Sequence, residues 1–240
     1  MPNPQYSCLE RQHQAYAQYR LVPLRPEDIL AIKEWRNAQI DVLRQDKPLT
    51  DEDQHTYYHQ VVVPTYAQQQ PEIVLFSLLS DNKLIGYGGL VHINWQARRA
   101  EVSFLVEPSR RKQPSTYQDD FHAFFTMIKG IAFDLLRLHR LTTETFSFRH
   151  RTIQLLEQQG FTREGRLRQH VFHEGGYVDS LVHGCLRPAI DCPQLNILVT
   201  SIGKKIPMLK AVRQAAERVA LKCTLHGGDH DQACLGRFYV

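Results

Sequence analysis

Apolar side chains recur every three or four residues along two segments of the chain, Pro26–Asn37 and Tyr117–Leu138. This spacing places them on one face of a helix, so both segments are predicted to form amphipathic helices. Between them, Thr50 and Asp53 stand three residues apart and resemble a capping box. They predict a further helix over Asp51–Val63, which Pro64 helps to end.

Other segments are apolar without helical spacing and are rich in β-branched and aromatic residues, which is typical of strands. They are Tyr19–Leu24, Glu72–Ser80, Lys83–Asn94, Arg99–Glu107, Leu141–Phe146, Thr162–His173 and Tyr177–Leu186. A short helix, Arg149–Gln159, follows the strand Leu141–Phe146, and a strand between two helices implies a parallel crossover. The elements predict an α/β fold with a mixed, mostly antiparallel central sheet flanked by helices.

Two prolines in Arg187–Gln194 predict a linker over residues 188–194. The chain then divides into an N-terminal extension (1–17), a main domain (18–187) and a C-terminal unit (195–240). The extension is polar and is predicted to be frayed or to form a short helix. The C-terminal unit is predicted to be a short βαβ, Rossmann-like fragment, whose elements are the strand Leu195–Thr200, the helix Ile206–Leu221 and the strand Leu221–Leu225.

Composition narrows the class of protein. A formal net charge of +4 without a uniformly basic run gives no support for nucleic-acid binding, and it suits an anionic cofactor equally well. The longest apolar run, Ile73–Leu79, is too short to span a bilayer. The N-terminus lacks the apolar core of a secretion signal. Five scattered cysteines indicate reduced thiols. A cytoplasmic protein with no membrane partner is expected.

The sequence RHRTIQLLEQQGF, Arg149–Phe161, places a short helix directly after a strand and ends it at Gly160. This unit resembles the last conserved segment of the GNAT superfamily of N-acetyltransferases, and the order of elements over residues 18–187 is similar to that family. The resemblance implies an acyl-CoA-dependent N-acyltransferase that uses acetyl-CoA as co-substrate and acts on a primary amine of a small molecule. Two alternatives stay open: a non-catalytic GNAT-like module that positions or regulates a ligase, and a peptide or ribosomal-protein N-acetyltransferase.

In this family a glycine-rich loop before a helix binds the pyrophosphate of the coenzyme, because backbone N–H groups at a helix N-terminus suit anions. The corresponding loop, Pro108–Tyr117, is basic but contains no glycine. The resemblance implies coenzyme contacts from the preceding strand, from this loop and from the later helix. The predicted residues are Phe104, Leu105, Val106, Arg110, Arg111, Lys112, Ser115, Thr116 and Arg149. The alternative is a solvated basic loop that binds nothing.

For catalysis, Glu101 in AEVSF matches the strand of GNAT enzymes similar to ribosomal-protein N-terminal acetyltransferases. The resemblance implies a base that removes a proton from the amine; the alternative is a sheet carboxylate paired with Arg98 or Arg99. Leu156 stands where many members have a tyrosine that protonates the thiolate. The branch similar to ribosomal-protein acetyltransferases instead has Ser or Asn-x-x-Ser on this helix, at the positions of Arg149 and Thr152. The resemblance implies that Thr152 hydrogen-bonds the sulfur, although it equally suits the start of a helix.

Asp179 and His170 are predicted to line the acceptor pocket. Alternatively, Asp179 pins a turn by side-chain hydrogen bonding, and His170 is solvated. No metal site is expected, because the histidines show no converging set of ligands. A homodimer is a possible assembly.

The C-terminal unit contains NILVTSIGKK followed by a predicted helix and GGDHDQACLGRFYV. With Gly203 and Asp229 in matching positions, it resembles the opening of ATP-grasp ligases of the carbamoyl-phosphate-synthetase type. The resemblance implies a truncated front end of such a ligase, fused to the acyltransferase, that does not itself ligate.

Overall fold

The computed structural model describes residues 4–188 and, by their backbone alone, three strands at 195–199, 222–225 and 234–239. The chain divides into two compact units, residues 1–187 and 188–240. The first contains an eight-stranded sheet with the strand order β1-β2-β3-β4-β5-β6-β8-β7. Its strands are β1 (Gln14–Tyr16), β2 (Tyr19–Pro23), β3 (Val74–Ser80), β4 (Lys83–Asn94), β5 (Arg99–Val106), β6 (Arg140–Phe146), β7 (Thr162–His173) and β8 (Gly176–Leu186).

Neighbouring strands of this sheet pair antiparallel except β5 and β6, which are parallel. Because β5 and β6 are separated in sequence by a long helical segment, a right-handed crossover is the expected connection. The sheet is thus mixed and mostly antiparallel, as the sequence predicted.

Helices flank the sheet. They are α1 (Ile29–Asn37), α2 (Asp51–Tyr57), α3 (Val63–Thr65), α4 (Pro108–Arg111), α5 (Pro114–Gly130) and α6 (His150–Gln158). Two 3₁₀ turns, Pro26–Asp28 and Ile40–Val42, lie around α1, and π-helical segments Tyr58–Val62 and Ile131–Leu135 follow α2 and α5. No helix among the described residues is long and apolar enough to cross a bilayer.

Local sequence explains where the helices begin. Thr50 accepts a hydrogen bond from the Asp53 N–H, and the Asp53 carboxylate accepts one from the Thr50 N–H, so the predicted capping box is confirmed. The long helix starts at Pro114, three residues before the predicted Tyr117, because proline suits the first helical turn.

The N-terminal segment is ordered and packed, so the expectation of a frayed extension or a short helix was wrong. Tyr6 is fully buried, and its hydroxyl accepts a hydrogen bond from the Leu75 N–H and donates one to the Leu75 carbonyl. Gln14–Tyr16 then adds β1 to the edge of the sheet. These contacts join residues 69 positions apart, which local sequence patterns do not reveal.

A hydrophobic core covers each face of the sheet. The larger core contains α5, with Phe121, Phe124 and Ile128 among its buried residues. The smaller core contains α1, with Ile29 and Ile32. The central strands contribute side chains to both cores, because successive side chains along a strand point to opposite faces of the sheet.

Gly88 in β4 permits close packing beneath α5. A Cβ atom at this position would lie 2.2 Å from the Ser103 carbonyl oxygen of β5 and 2.8 Å from Phe124. Any larger residue would therefore push β5 and α5 apart.

In the second unit, strands β9 (Leu195–Val199), β10 (Lys222–Leu225) and β11 (Cys234–Tyr239) form a three-stranded sheet. The first two agree with the predicted strands. β11 lies between them and pairs antiparallel with both, so they do not form the adjacent parallel pair expected of a simple βαβ fragment. The predicted helix Ile206–Leu221, Gly203 and Asp229 lie outside the described residues.

Candidate active site

One opening in the first unit lies where β5 and β6 separate. Their parallel ladder contains only the pairs Arg99–Arg140, Ala100–Leu141 and Glu101–Thr142. Beyond Glu101, β5 continues to Val106 beside β4, whereas β6 continues beside β8. A cavity of about 220 Å³ occupies the gap. Its lining includes Arg44, Glu101, Phe104, Tyr117, Glu144, Arg149, Thr152 and Leu156.

The separated edge of β5 suits an extended ligand. In the described residues, no ladder between β5 and β6 is formed beyond Glu101, so backbone N–H and C=O groups of β5 face the gap. Such groups pair readily with an amide-bearing chain, as a further strand would. Leu105 and Val106 bury their side chains in the two cores. Leu105 lies opposite Tyr87, and the Glu107 N–H bonds the Ile85 carbonyl two residues on, so the backbone groups of Leu105 point to β4 instead of the gap. The Val106 carbonyl accepts a hydrogen bond from Gln39 Nε2, which leaves its N–H for a ligand.

Phe104 instead lines the cavity with its side chain, which stacks on Phe124 with ring centroids 4.4 Å apart. Of the three predicted coenzyme-binding residues of β5, Phe104 and Val106 therefore border the gap and Leu105 does not.

Glu101 lies at the point where the strands part, with 18% of its side chain exposed. It accepts a hydrogen bond from Arg44, a residue 57 positions earlier in the chain. Neither Arg98 nor Arg99, the two partners considered from the sequence, forms this ion pair. Glu101 is therefore a partly buried carboxylate at the cavity wall, within reach of a ligand.

Two hydroxyl groups meet on the other side of the cavity. The Tyr117 hydroxyl, in the first turn of α5, is 3.4 Å from Thr152 Oγ1 on α6. Tyr117 is 5% exposed, so its hydroxyl is held in a largely dry environment. Leu156 lines the same cavity. A tyrosine is thus present, but it comes from a different helix than the sequence comparison suggested.

The glycine-free loop is folded as the short helix α4. The N–H groups of Arg110 and Arg111 donate to the Glu107 carbonyl, and the Lys112 N–H donates to the Pro108 carbonyl. These donors are consequently used within the loop and cannot wrap around an anion. The intrahelical ladder of α5 starts with the Tyr117 N–H, so the N–H groups of Ser115 and Thr116 precede it.

Arg110 is committed to a structural ion pair, which argues against its predicted role in coenzyme binding. Its Nε and a terminal nitrogen each donate to Asp120 at 2.7 Å, and the Asp120 side chain is fully buried. A bidentate pair with a buried carboxylate is costly to break, because the carboxylate would be left without a partner. This pair fastens α4 to α5.

The other basic side chains near the cavity, those of Arg149, Arg111 and Lys112, differ in burial and in the partners they already have. Arg149 lines the cavity, where burial lowers its pKa and the nearby Tyr117 opposes that shift. Arg111 is 3.9 Å from Asp41 and 31% exposed, and Lys112 is exposed. These three, unlike Arg110, retain donors that an anionic ligand can use.

The predicted acceptor residues separate in the structure. Asp179 accepts hydrogen bonds from the Gln169 N–H and from Arg166, and these contacts hold its pKa below the usual range. Asp179 thus holds together the part of the β7–β8 hairpin where the strand register shifts. This is the structural alternative that the sequence analysis gave for Asp179. His170 is half-exposed, and its Nε2 is 3.7 Å from Glu144 Oε1 at the cavity.

Arg44, Tyr117 and Glu144 are among the cavity residues that the sequence reasoning missed. Arg44 lies in an irregular segment, and nothing in its neighbourhood in sequence points to the sheet. Tyr117 directly follows the basic loop, and Glu144 lies in the strand before the helix that resembles the GNAT segment. Both could therefore have been predicted from their positions beside these segments.

Among the described residues, no cluster of three or more His, Cys, Asp or Glu side chains could hold a metal ion.

Comparison with known families gives one match over most of the first unit. A family profile described as an acetyltransferase (GNAT) domain matches residues 21–182. No match was found among curated proteins.

Comparison with solved structures identifies similar folds at low sequence identity. A dodecameric spermidine N-acetyltransferase from Vibrio cholerae is 21% identical, with a TM-score of 0.59 over 72% of this chain and 95% of that one. A spermidine N-acetyltransferase from the same organism, in complex with CoA and spermine, is 19% identical, with a TM-score of 0.59 over 72% and 97%. These likenesses establish a shared fold.

Proposed function

The chain belongs to the GNAT family of acetyltransferases, and on this premise we propose that it transfers an acetyl group from acetyl-CoA to a primary amine of a small molecule. The observation that carries the proposal is the cavity between β5 and β6. It brings a carboxylate, Glu101, and a pair of hydroxyls, Tyr117 and Thr152, to one opening. These are the groups that amine acylation requires, a proton acceptor and a proton donor.

Acetyl transfer forms a carbon–nitrogen bond and breaks the carbon–sulfur bond of the thioester. The ammonium group loses two protons in the reaction: one passes to solvent through the base, and one balances the proton that the leaving sulfur gains. Glu101 accepts the proton of the amine, directly or through water. The Tyr117 hydroxyl, hydrogen-bonded to Thr152, gives a proton to the leaving sulfur and regains one from solvent. The cavity aligns amine and thioester, and such alignment supplies a large part of the rate.

For the coenzyme, we propose a smaller set of contacts than the sequence implied. The backbone of Phe104 and the N–H of Val106 pair with the extended arm, whereas Leu105, whose backbone groups face β4, is left out of the predicted set. The phosphates lie near the N–H groups of Ser115 and Thr116 and the side chains of Arg111, Lys112 and Arg149. Because the N–H groups of α4 are already bonded, cationic side chains take over part of the task that glycine loops perform with backbone.

The acceptor is a cationic amine. The cavity lining contains two carboxylates, Glu101 and Glu144, together with Arg36, Arg44 and Arg149. The two carboxylates are the groups that can bind a positively charged amine. The similar structures named above are of enzymes described as spermidine N-acetyltransferases, one of them with spermine bound. Both observations support a small amine over an anionic or neutral acceptor.

A second candidate function is a GNAT-like module without catalysis. Two observations favour it: the N–H groups of Arg110, Arg111 and Lys112 are satisfied within α4, and Leu156 replaces the usual tyrosine. Such a module would bind CoA weakly and release no thiol from acetyl-CoA.

Thiol release from acetyl-CoA with a panel of primary amines tests the proposal. We expect turnover with at least one cationic amine, and a reduction of kcat by about 100-fold or more in Glu101→Gln, since a positioned base contributes on that order. The variant Glu52→Gln, on the exposed side of α2, is the matched control and should keep full activity.

Calorimetry with CoA separates the two candidates. Binding of CoA without thiol release from any amine would favour the non-catalytic module. Absence of both binding and turnover would contradict each of them.

A further inference from the structure

The guanidinium of Arg44 lies in the candidate active site between two carboxylates on neighbouring strands. One terminal nitrogen donates a hydrogen bond to Glu101, and the other is 3.6 Å from Glu144 Oε2. Arg44 belongs to the segment between the 3₁₀ turn Ile40–Val42 and α2, outside the sheet. The site therefore contains an organic cation that the protein itself supplies.

Glu144 is the less satisfied of the two carboxylates. Its side chain is 18% exposed, and among the described residues its buried Oε1 has no hydrogen-bond partner. The Nε2 atom of His170 lies 3.7 Å from that oxygen, beyond a hydrogen bond. A buried carboxylate oxygen without a donor is unfavourable, so the site has room for a ligand with more N–H donors than Arg44 provides.

Arg44 can leave this position without unfolding its segment. Its side chain is 53% exposed, and ion pairs of such side chains contribute little to stability. The segment is held by other contacts, since the Gln45 amide donates to Asn37 Oδ1 at 3.1 Å and to the Lys47 carbonyl at 3.0 Å. The guanidinium can swing toward solvent while these bonds remain.

Departure of Arg44 has different consequences for different amines. Arg44 occupies one of the two Glu101 oxygens, so an ammonium group can bind both Glu101 oxygens and take the place between the two carboxylates only after Arg44 moves. A monoamine then places its only nitrogen at Glu101 and leaves Glu144 as a buried charge without a partner. An acceptor with a second ammonium group neutralises Glu144 as well.

We propose that the guanidinium of Arg44 occupies the acceptor site while no acceptor is bound. The acceptor that displaces it is a diamine or longer polyamine whose second ammonium group binds Glu144. This inference rests on the proposed acetyl transfer. The reacting amino group gives one proton to Glu101, and the other ammonium keeps its proton and its charge. Arg44 excludes cations that bind too weakly to displace it, so it acts as an autoinhibitory contact.

Calorimetric titration of the full chain with 1,3-diaminopropane and with propylamine tests the inference without requiring turnover. We expect the wild type to prefer the diamine. Glu144→Gln should weaken diamine binding about tenfold or more, because a paired charge is lost, and should remove the preference. Arg44→Ala should tighten diamine binding about fivefold, because a competing surface ion pair is gone.

Two controls remove the same charges elsewhere. Glu10→Gln and Arg11→Ala alter exposed side chains outside the cavity and should leave both affinities unchanged. Equal affinity of the wild type for the two amines, or unchanged diamine binding in Glu144→Gln, would overturn the inference.

Thiol release from acetyl-CoA distinguishes this failure from failure of the proposed function. Turnover of both amines with equal KM would leave the transferase intact and refute the role of Glu144. Diamine binding that depends on Glu144, with no thiol release from any amine, would uphold the cation site and refute the transferase.

Discussion

At the scale of single residues, the cavity contains a tyrosine hydroxyl that comes from a different position in the chain than the family resemblance implies. Leu156 lines the cavity but has no proton to give. Tyr117 reaches the same space from the first turn of α5, and its hydroxyl lies 3.4 Å from Thr152 Oγ1. The pair combines an acidic hydroxyl with a second group that orients it.

Tyr117→Phe is expected to lower kcat about 100-fold or more, since general-acid catalysis contributes roughly 10²- to 10⁴-fold. The ring remains, so the packing against Phe121 and the affinity for CoA should persist. Steady-state thiol release and calorimetry with CoA measure the two quantities separately.

Thr152→Val and the double variant complete a cycle for this pair. If the hydroxyls act as one unit, the double variant should be hardly slower than Tyr117→Phe alone. Strictly additive losses, or full activity in Tyr117→Phe, would show that the hydroxyls do not work together on the sulfur.

At the scale of secondary-structure elements, the β7–β8 hairpin contains a buried titratable group outside the cavity. His183 on β8 is fully buried, and among the described residues neither ring nitrogen has a hydrogen-bond partner. Burial lowers the pKa of His183, and Glu157 on α6, 4.0 Å from Nε2, opposes the shift. The folded hairpin therefore holds this histidine in its neutral form.

Because the pKa is lower in the folded than in the unfolded chain, the unfolded chain binds more protons in acid. Stability should then fall as the pH drops below about 6.5, by at most about 1.4 kcal/mol per pH unit from this group. His183→Leu should reduce that slope, as measured by urea unfolding between pH 7.5 and 5.

The exposed His59 offers a control variant, His59→Gln, which removes a histidine from the surface instead of the core. An unchanged slope in His183→Leu would mean that other groups determine the acid sensitivity of the first unit.

At the scale of the whole molecule, the chain consists of two compact units that meet at residue 188. The first contains the eight-stranded sheet, both hydrophobic cores and every residue of the candidate active site. A unit that has its own cores is expected to fold alone.

Brief elastase digestion of the full chain, which can cut after Ala189, should therefore leave a stable fragment ending near the boundary. The fragment is expected to bind CoA with the affinity of the intact chain, as measured by calorimetry after purification. Precipitation of the fragment, or loss of CoA binding, would show that the second unit contributes to the fold or the site of the first.

The sequence by itself determined the elements and the fold of the first unit, because periodicity and capping act over a few residues. The helices over Pro26–Asn37 and Arg149–Gln159 and the strands of the central sheet followed from such patterns. The family resemblance also placed Glu101 and Thr152, and both line the cavity. Residue type and local spacing carry this information without knowledge of distant contacts.

Only the tertiary structure decided which charged and polar side chains are free to act. Arg110 and Lys112 are alike in the sequence, but the fold brings Asp120 to Arg110 and leaves Lys112 exposed. Arg44 and Glu101 are 57 positions apart, and their pairing arises from the packing of an irregular segment against the sheet. Ion pairs and hydrogen bonds depend on proximity in space, which no short stretch of sequence encodes.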